Sequence, residues 1–249
     1  MTDELKETIE NLYKTFAIYP LKSTIGCPCC VSDSDKEKIH YKQLRNLDGD
    51  DLSRYAFKAM TTWGDTDDFK HYLPRIFELL VTTNFPVATF VILGKLDYGK
   101  WTTWTKNEKN SIIKFLLAFW TDHVKNSYFD KDTFIVLNKV IGNSQQLLDC
   151  WTIDFNDNSF MNFIDLIYNY YADLTSNKNH FKEINDKEIE IFVQLIKTNS
   201  EFIEKGFFHY ADKDKEFAEK ISIAQAIFER NYLEPQNWFL IKTDFNLAF

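Results

Sequence analysis

Glycine and proline are scarce in this chain of 249 residues, which contains 7 and 5 of them. A large all-β protein needs many tight turns, and such turns depend on these two residue types. Their scarcity therefore favours helices. Apolar residues make up 45% and charged residues 27% of the chain, proportions typical of a globular protein that buries a sizeable core.

An export signal and a long apolar run are also lacking. Residues 2–6 are polar and acidic, without the basic segment followed by an apolar one that marks a leader. No apolar run reaches the roughly 18 residues of a membrane-spanning helix, and the best segment, 112–120, is interrupted by Lys114. Four unevenly spaced cysteines do not resemble a secreted disulfide framework. We therefore expect a cytoplasmic protein with no membrane association.

Familiar catalytic signatures are missing as well. The chain has no G-x-S-x-G nucleophile motif, no P-loop, no dinucleotide-binding fingerprint and no H-E-x-x-H pair. The sequence therefore assigns no catalytic and no cofactor-binding residue.

What is present is a succession of helical patterns. Thr2 is placed to cap a helix whose apolar face begins at Leu5, and Thr105 with Glu108 forms a capping box. Later helical runs are expected near 132–141, 144–153, 159–174, 186–204 and 212–231. The sequence predicts an all-α fold of nine to ten helices in a single domain, 1–249, either a helical bundle or HEAT-like stacked helix pairs. A shift in charge near residue 126 is a weak sign of subdivision, and the apolar tail 238–249 is expected to pack against another element.

Three of the four cysteines lie together in Cys27-Pro28-Cys29-Cys30. The C-x-x-C spacing of Cys27 and Cys30 allows two thiolates to reach one Zn²⁺ ion. His40 and His71 are the nearest residues that could complete four ligands, and Cys150 could do so only through folding. Because Cys29 and Cys30 cannot easily share one ion with Cys27 for steric reasons, at least one thiol is expected to be left over. A redox pair is disfavoured because no βαβ pattern surrounds the motif. The alternative is that the thiols are small apolar groups packed in a loop.

A polar stripe follows on the helix after residue 65. At 100° per residue, Asp67, His71, Arg75 and Glu78 fall within about 80° of one another. Such a row could orient a histidine for proton transfer, or bind a carboxylate or phosphate. A solvated face of structural ion pairs has the same pattern.

Several of these segments together resemble a protein family. The runs CPCC at 27–30, TWGD at 62–65 continuing to Pro74 and Arg75, and KL-x-Y-x-x-W-x-x-W at 95–104 resemble an uncharacterised bacterial protein family with no assigned activity. The similarity covers about residues 25–120. It implies which segments belong together and transfers no catalytic residue.

The net charge of −8 is unevenly distributed. Residues 1–125 carry 17 basic and 17 acidic side chains, whereas residues 126–249 carry 12 basic and 20 acidic ones. An acidic surface attracts basic partners and disfavours nucleic acid and anionic lipid, although solubility alone also accounts for it.

Two hypotheses about function follow. The first is a non-catalytic, cytoplasmic protein-binding protein, an immunity-type or adaptor protein for a basic partner. The second is a metal- or thiol-dependent enzyme whose site joins the Cys27–Cys30 loop to Asp67, His71 and Arg75.

Overall fold

The computed structural model describes residues 1–22, 25–175 and 183–233. Within these ranges the chain is helical and contains no β-strand, so the all-α prediction is confirmed. Two isolated β-bridges join Trp63 to Gly26 and to Ala59. None of the described helices is both long and apolar enough to cross a membrane. The predicted packing of the tail 238–249 concerns residues outside the described ranges.

The chain divides into two compact units. The first comprises Met1–Asp122 with Asp132–Gly142, and the second comprises His123–Lys131 with Asn143–Phe249. The single-domain organisation over 1–249, and the choice between a bundle and stacked helix pairs, stay predictions.

Seven α-helices are described before residue 143. They are α1 Asp3–Phe16, α2 Asp33–Tyr41, α3 Gly49–Lys58, α4 Thr66–Thr82, α5 Thr89–Tyr98, α6 Lys106–Asn126 and α7 Lys131–Ile141. Short 3₁₀ turns at Leu44–Asn46 and Trp101–Thr103 connect some of them.

Six α-helical segments are described after residue 143. They are α8 Ser144–Asp149, α9 Asn158–Leu166, α10 Ala172–Thr175, α11 Asp186–Thr198, α12 Glu201–Tyr210 and α13 Lys215–Leu233. A π-helical turn, Ile167–Tyr171, joins α9 to α10 without a break. Counted with that junction as one, the described residues form twelve helices, more than the nine to ten predicted. One reason is that the predicted run 186–204 divides after α11.

Local sequence explains where the helices of the first unit begin. Capping boxes open α2, α3 and α4, with the N-cap side chains of Ser32, Asp48 and Asp65 accepting the N–H of the third helical residue. The predicted box before α6 is confirmed: the N–H of Thr105 donates to Glu108 at 2.7 Å, and the N–H of Glu108 donates to the Thr105 hydroxyl at 3.3 Å. Each cap satisfies backbone N–H groups that the helix itself leaves without acceptors.

Large aromatic side chains fill the interior of both units. In the first, Tyr55 packs edge-on against Trp63 with 5.3 Å between ring centroids, and Phe77 stacks on Phe115 at 4.9 Å. All four of these side chains are buried. Trp63 lies immediately before Gly64, whose φ of +70° ends this turn in the left-handed region. The loop that carries the cysteines is attached at this point.

Candidate thiol site

The cysteine loop is anchored to the turn after α3 by its backbone. The N–H of Gly64 donates to the carbonyl of Ile25 at 2.8 Å, and the N–H of Cys27 donates to the carbonyl of Thr62, also at 2.8 Å. Between these bonds lies Gly26. A Cβ atom on Gly26 would lie 2.8 Å from Cβ of Val31, so only glycine fits without a shift. The loop is therefore held to a buried part of the unit.

A tight turn then brings the three thiols together. The carbonyl of Cys27 accepts the N–H groups of both Cys30 and Val31, each at 2.9 Å. The Sγ of Cys29 lies 2.9 Å from Sγ of Cys27 and 3.6 Å from Sγ of Cys30. All three sulfur atoms lie within 4.8 Å of one another. The turn folds the Cys29 side chain back toward its neighbours, so the steric reason for leaving one thiol out of a shared site does not apply to this geometry.

Two cations fix the end of this turn. Both Lys58 and Arg54 donate to the carbonyl oxygen of Cys30, the guanidinium NH2 at 3.2 Å. Arg54 also lies 3.3 Å from the carboxylate of Asp35 in α2. Sequence reasoning missed both residues, since they follow the motif by some 25 positions and approach it only through the fold of α3.

The thiols differ in acidity. Hydrogen bonding from the Cys29 side chain and backbone, followed by that from Cys30, lowers the pKa of Cys27 below its ordinary value. Donation to the thiolates of Cys27 and then Cys30 raises the pKa of Cys29 to about 11. Cys29 is the exposed member of the set, and the other two are half-buried. The sulfurs of Cys27 and Cys29 therefore do not ionise independently, because ionisation of one disfavours ionisation of the other.

The predicted histidine ligands lie elsewhere. Both ring nitrogens of His40 are within hydrogen-bond distance of backbone carbonyl oxygens, Nδ1 at 2.6 Å from Lys36 and Nε2 at 2.9 Å from Lys22. Nδ1 of His71 lies 2.8 Å from the carbonyl of Tyr19. Neither histidine belongs to the group of ligand atoms formed by the thiols. Of the proposed set Cys27, Cys30, His40 and His71, the structure brings together only the two cysteines, and adds Cys29.

The polar stripe on α4 is engaged with neighbouring helices and loops. Asp67 pairs with Lys22 at 3.2 Å. Arg75 donates through Nε to the carbonyl of Leu47 at 2.7 Å and through NH1 to Glu78 at 2.6 Å. Glu78 also accepts the hydroxyl of Tyr13 in α1 at 2.6 Å. With the His71 contact to Tyr19, all four stripe residues take part in structural contacts.

A cleft of about 650 Å³ borders this stripe, a volume ordinary for a small-molecule site. Its wall includes Tyr13, Tyr19, Arg45 and His71. Arg45, however, is held by Glu10 through two parallel bonds of 2.7 Å and lies 3.8 Å above the centroid of the Tyr13 ring. Because this guanidinium is already paired in a bidentate geometry, the cleft does not offer it to an anionic ligand.

One buried charge pair was not anticipated from sequence. Nζ of Lys70 in α4 lies 2.8 Å from the carboxylate of Glu108 in α6, and these side chains are only 9% and 2% exposed. The hydroxyl of Tyr19 donates to Glu108, and Lys70 lies 4.4 Å above the ring of Trp104. The capping box identified Glu108 but gave no sign of Lys70, which reaches it only through helix packing. Since every charge is satisfied within the network, its role is structural.

The chain matches no protein-family model, no curated protein and no solved structure. The resemblance to the bacterial family therefore stays an expectation, and the thiol site is interpreted from its own geometry.

Proposed function

We propose that this protein binds one thiophilic metal ion, Zn²⁺ or Cu⁺, through the thiolates of Cys27, Cys29 and Cys30. The observation that carries the proposal is the convergence of three sulfur atoms within 4.8 Å on one anchored turn. Soft thiolate ligands select these ions over hard cations such as Mg²⁺ and Ca²⁺.

A bound cation would allow all three sulfurs to be thiolates at once. Each sulfur releases its proton as it ligates, and the positive charge of the ion offsets the repulsion between neighbouring thiolates. Zn²⁺ with three thiolates leaves one net negative charge. Arg54 and Lys58, both bonded to the Cys30 carbonyl, place positive charge where it offsets this excess.

Geometry permits the ion with small movements. Zn–S bonds of about 2.3 Å place three thiolates about 3.8–4.0 Å apart around one ion. The separations of 2.9 Å and 3.6 Å require the sulfurs to spread by rotation about their side-chain bonds. Three thiolates would leave the fourth coordination position of a tetrahedral ion to water or another ligand, as in zinc sites that exchange a ligand and unlike closed four-ligand structural sites.

The test is a titration of the reduced protein under anaerobic conditions. Co²⁺ serves as a spectroscopic substitute for Zn²⁺, because thiolate coordination produces intense sulfur-to-metal bands in the near ultraviolet, and Cu⁺ is titrated separately. We expect saturation at one ion per chain. Cys27→Ser, Cys29→Ser and Cys30→Ser should each weaken binding by on the order of a hundredfold, because each removes one of three ligands.

The matched control is Cys150→Ser. Cys150 is the fourth cysteine, half-buried after α8, where its thiol donates to the Gln146 carbonyl at 3.2 Å. This variant should bind the ion as the parent does, and a chelator should lower the Tm of both by the same amount. If Cys150→Ser loses as much affinity as the loop variants, the assignment of the ligands is wrong. If the reduced protein binds neither ion, the metal proposal fails.

A further inference from the structure

A shallow groove crosses the second unit between two helical segments. Its volume is about 500 Å³. One wall consists of Met161 in α9 and Tyr168 in the π-helical turn, and the other of Phe217 and Ile223 in α13. Tyr168 and Ile223 are 40% and 42% exposed. Apolar side chains left open to solvent between two helices are typical of a surface that receives another helix.

The π-helical turn marks the same place. π-helices are rare, because their hydrogen-bond geometry is poorer than that of the α-helix, and single π turns occur frequently at functional sites. Ile167–Tyr171 is the only π-helical segment within the described ranges. Two of its tyrosines have different environments, since Tyr171 is buried against Phe228 at 5.5 Å between centroids whereas Tyr168 faces the groove. The π-helical turn therefore helps to orient Tyr168, which forms part of one wall of the groove.

The rim of the groove is acidic. Asp214, Glu216 and Glu219 lie along it, and its one cation, Lys220, is paired with Asp165. Among the described residues, no cation forms a salt bridge with Glu216 or Glu219. The groove thus combines apolar walls with carboxylates that no cation neutralises among the described residues. It lies in the half of the chain that carries the whole net charge of −8.

We infer that this groove binds a basic amphipathic helix of a partner protein, with apolar residues on the face that enters the groove and Lys or Arg along its flanks. Charge complementarity identifies the occupant. Apolar anchors supply affinity, and the flanking cations meet the acidic rim and fix the orientation. A second copy of this chain is disfavoured, because its like charges would face the same rim. The inference is independent of the thiol site, which lies in the first unit.

The probe is a fluorescein-labelled peptide of about 15 residues, long enough to fold on contact. It contains only Leu and Lys, with Leu at i, i+3, i+4 and i+7. A second peptide has the same composition in an order that does not separate Leu from Lys. Fluorescence anisotropy with the full-length protein should show binding of the first peptide at least tenfold tighter than of the second, and weakening as salt increases.

Two charge-reversal variants locate the binding. Glu216→Lys with Glu219→Lys changes two carboxylates at the second and fifth positions of α13. Glu4→Lys with Glu7→Lys makes the same change at the second and fifth positions of α1, and so matches it in net charge and in distance from a helix N-terminus. We expect the groove variant to weaken peptide binding by about tenfold and the α1 variant by less than about twofold.

A third variant tests the apolar walls of the groove. Ile223→Ser removes an exposed side chain without changing charge, and we expect it to weaken binding by about fivefold, the loss that corresponds to about one methylene equivalent buried in the contact. Equal losses from the two charge-reversal variants, or equal binding of the two peptides, would show attraction by net charge alone and overturn the inference. So would sedimentation showing a dimer that Ile223→Ser dissociates, or nuclear Overhauser contacts in the free protein between Ile223 and residues 234–249.

Discussion

The two compact units use their polar and aromatic residues in different ways. In the first unit, carboxylates and cations are paired inside or between helices, as in Lys70 with Glu108 and Arg75 with Glu78. In the second, the centre is a cluster of rings: Phe160 packs against Phe155 at 4.7 Å between centroids and lies parallel to Tyr210 at 5.8 Å. Its acidic residues are mostly on the surface, as at the rim of the groove.

This difference explains why each unit offers a different kind of surface. Buried charges are stable only when they are paired in a defined geometry. The charge pairs of the first unit therefore help to fix how its helices, and the loop attached to them, are placed. Ring packing needs no charged partner. The rim carboxylates Glu216 and Glu219 of the second unit are exposed and form no salt bridge among the described residues, so they remain open to a partner.

The largest effect should come from breaking the buried pair of the first unit. Lys70→Met leaves the carboxylate of Glu108 buried without its cation, and we expect a loss of about 3–5 kcal/mol in the free energy of unfolding. Urea denaturation followed by circular dichroism measures it. Adding Glu108→Met to the same chain removes the uncompensated charge and should recover part of the loss. A loss below about 1 kcal/mol in the single variant would show that the pair is not buried in solution.

The same pair should make stability depend on pH. Burial alone raises the pKa of Glu108, but hydrogen bonds from Lys70, Tyr19 and Thr105 outweigh it and lower the pKa from 4.5 to about 2. Because the folded-state pKa lies below the unfolded one, the stabilisation is fully present above about pH 4.5 and is lost as the pH falls toward 2. The decrease should be on the order of 3 kcal/mol. Glu108→Gln should flatten the profile over this interval, and an unchanged profile would contradict the assignment.

A smaller effect should come from crowding the ring cluster of the second unit. Gly206 in α12 is buried, and a Cβ atom there would lie 1.9 Å from Cζ of Phe160. We expect Gly206→Ala to lower the free energy of unfolding by about 1–3 kcal/mol, because the ring must shift in a packed site. The matched control is Gly94→Ala in α5, where nothing lies within 4 Å of the added carbon. It should stabilise the protein by up to about 1 kcal/mol, since alanine is the better helix former. If both variants lowered, or both raised, the free energy of unfolding, the packing of α12 against Phe160 would be contradicted.

The smallest effect should come from the exposed end of the polar stripe. Lys22 and Asp67 form a pair at 3.2 Å whose side chains are 50% and 48% exposed. Lys22→Ala should change the free energy of unfolding by less than about 0.5 kcal/mol, because water and salt screen such pairs. Thermal denaturation at low and high salt measures the change. A loss comparable to that of Lys70→Met would mean that exposed and buried pairs do not differ here.

Local patterns predicted much of the fold. The cap at Thr2 and the box formed by Thr105 and Glu108 both depend on residues within four positions of each other, and both are present. The candidate metal site was predicted only in part. Cys27 and Cys30 follow from their spacing, but His40 and His71 were chosen by distance along the chain. The fold directs both rings to backbone carbonyls instead.

What the sequence determined by itself is the helical class, the main helix starts and the existence of a thiol-rich loop, because these depend on interactions between near neighbours in the chain. The tertiary structure decided how the pieces are used. It paired Lys70 with Glu108, directed the polar stripe toward neighbouring helices, and placed Arg54 and Lys58 at the end of the cysteine turn. These contacts join residues more than 20 positions apart. Packing of apolar faces fixes them, and no short pattern encodes which helix meets which.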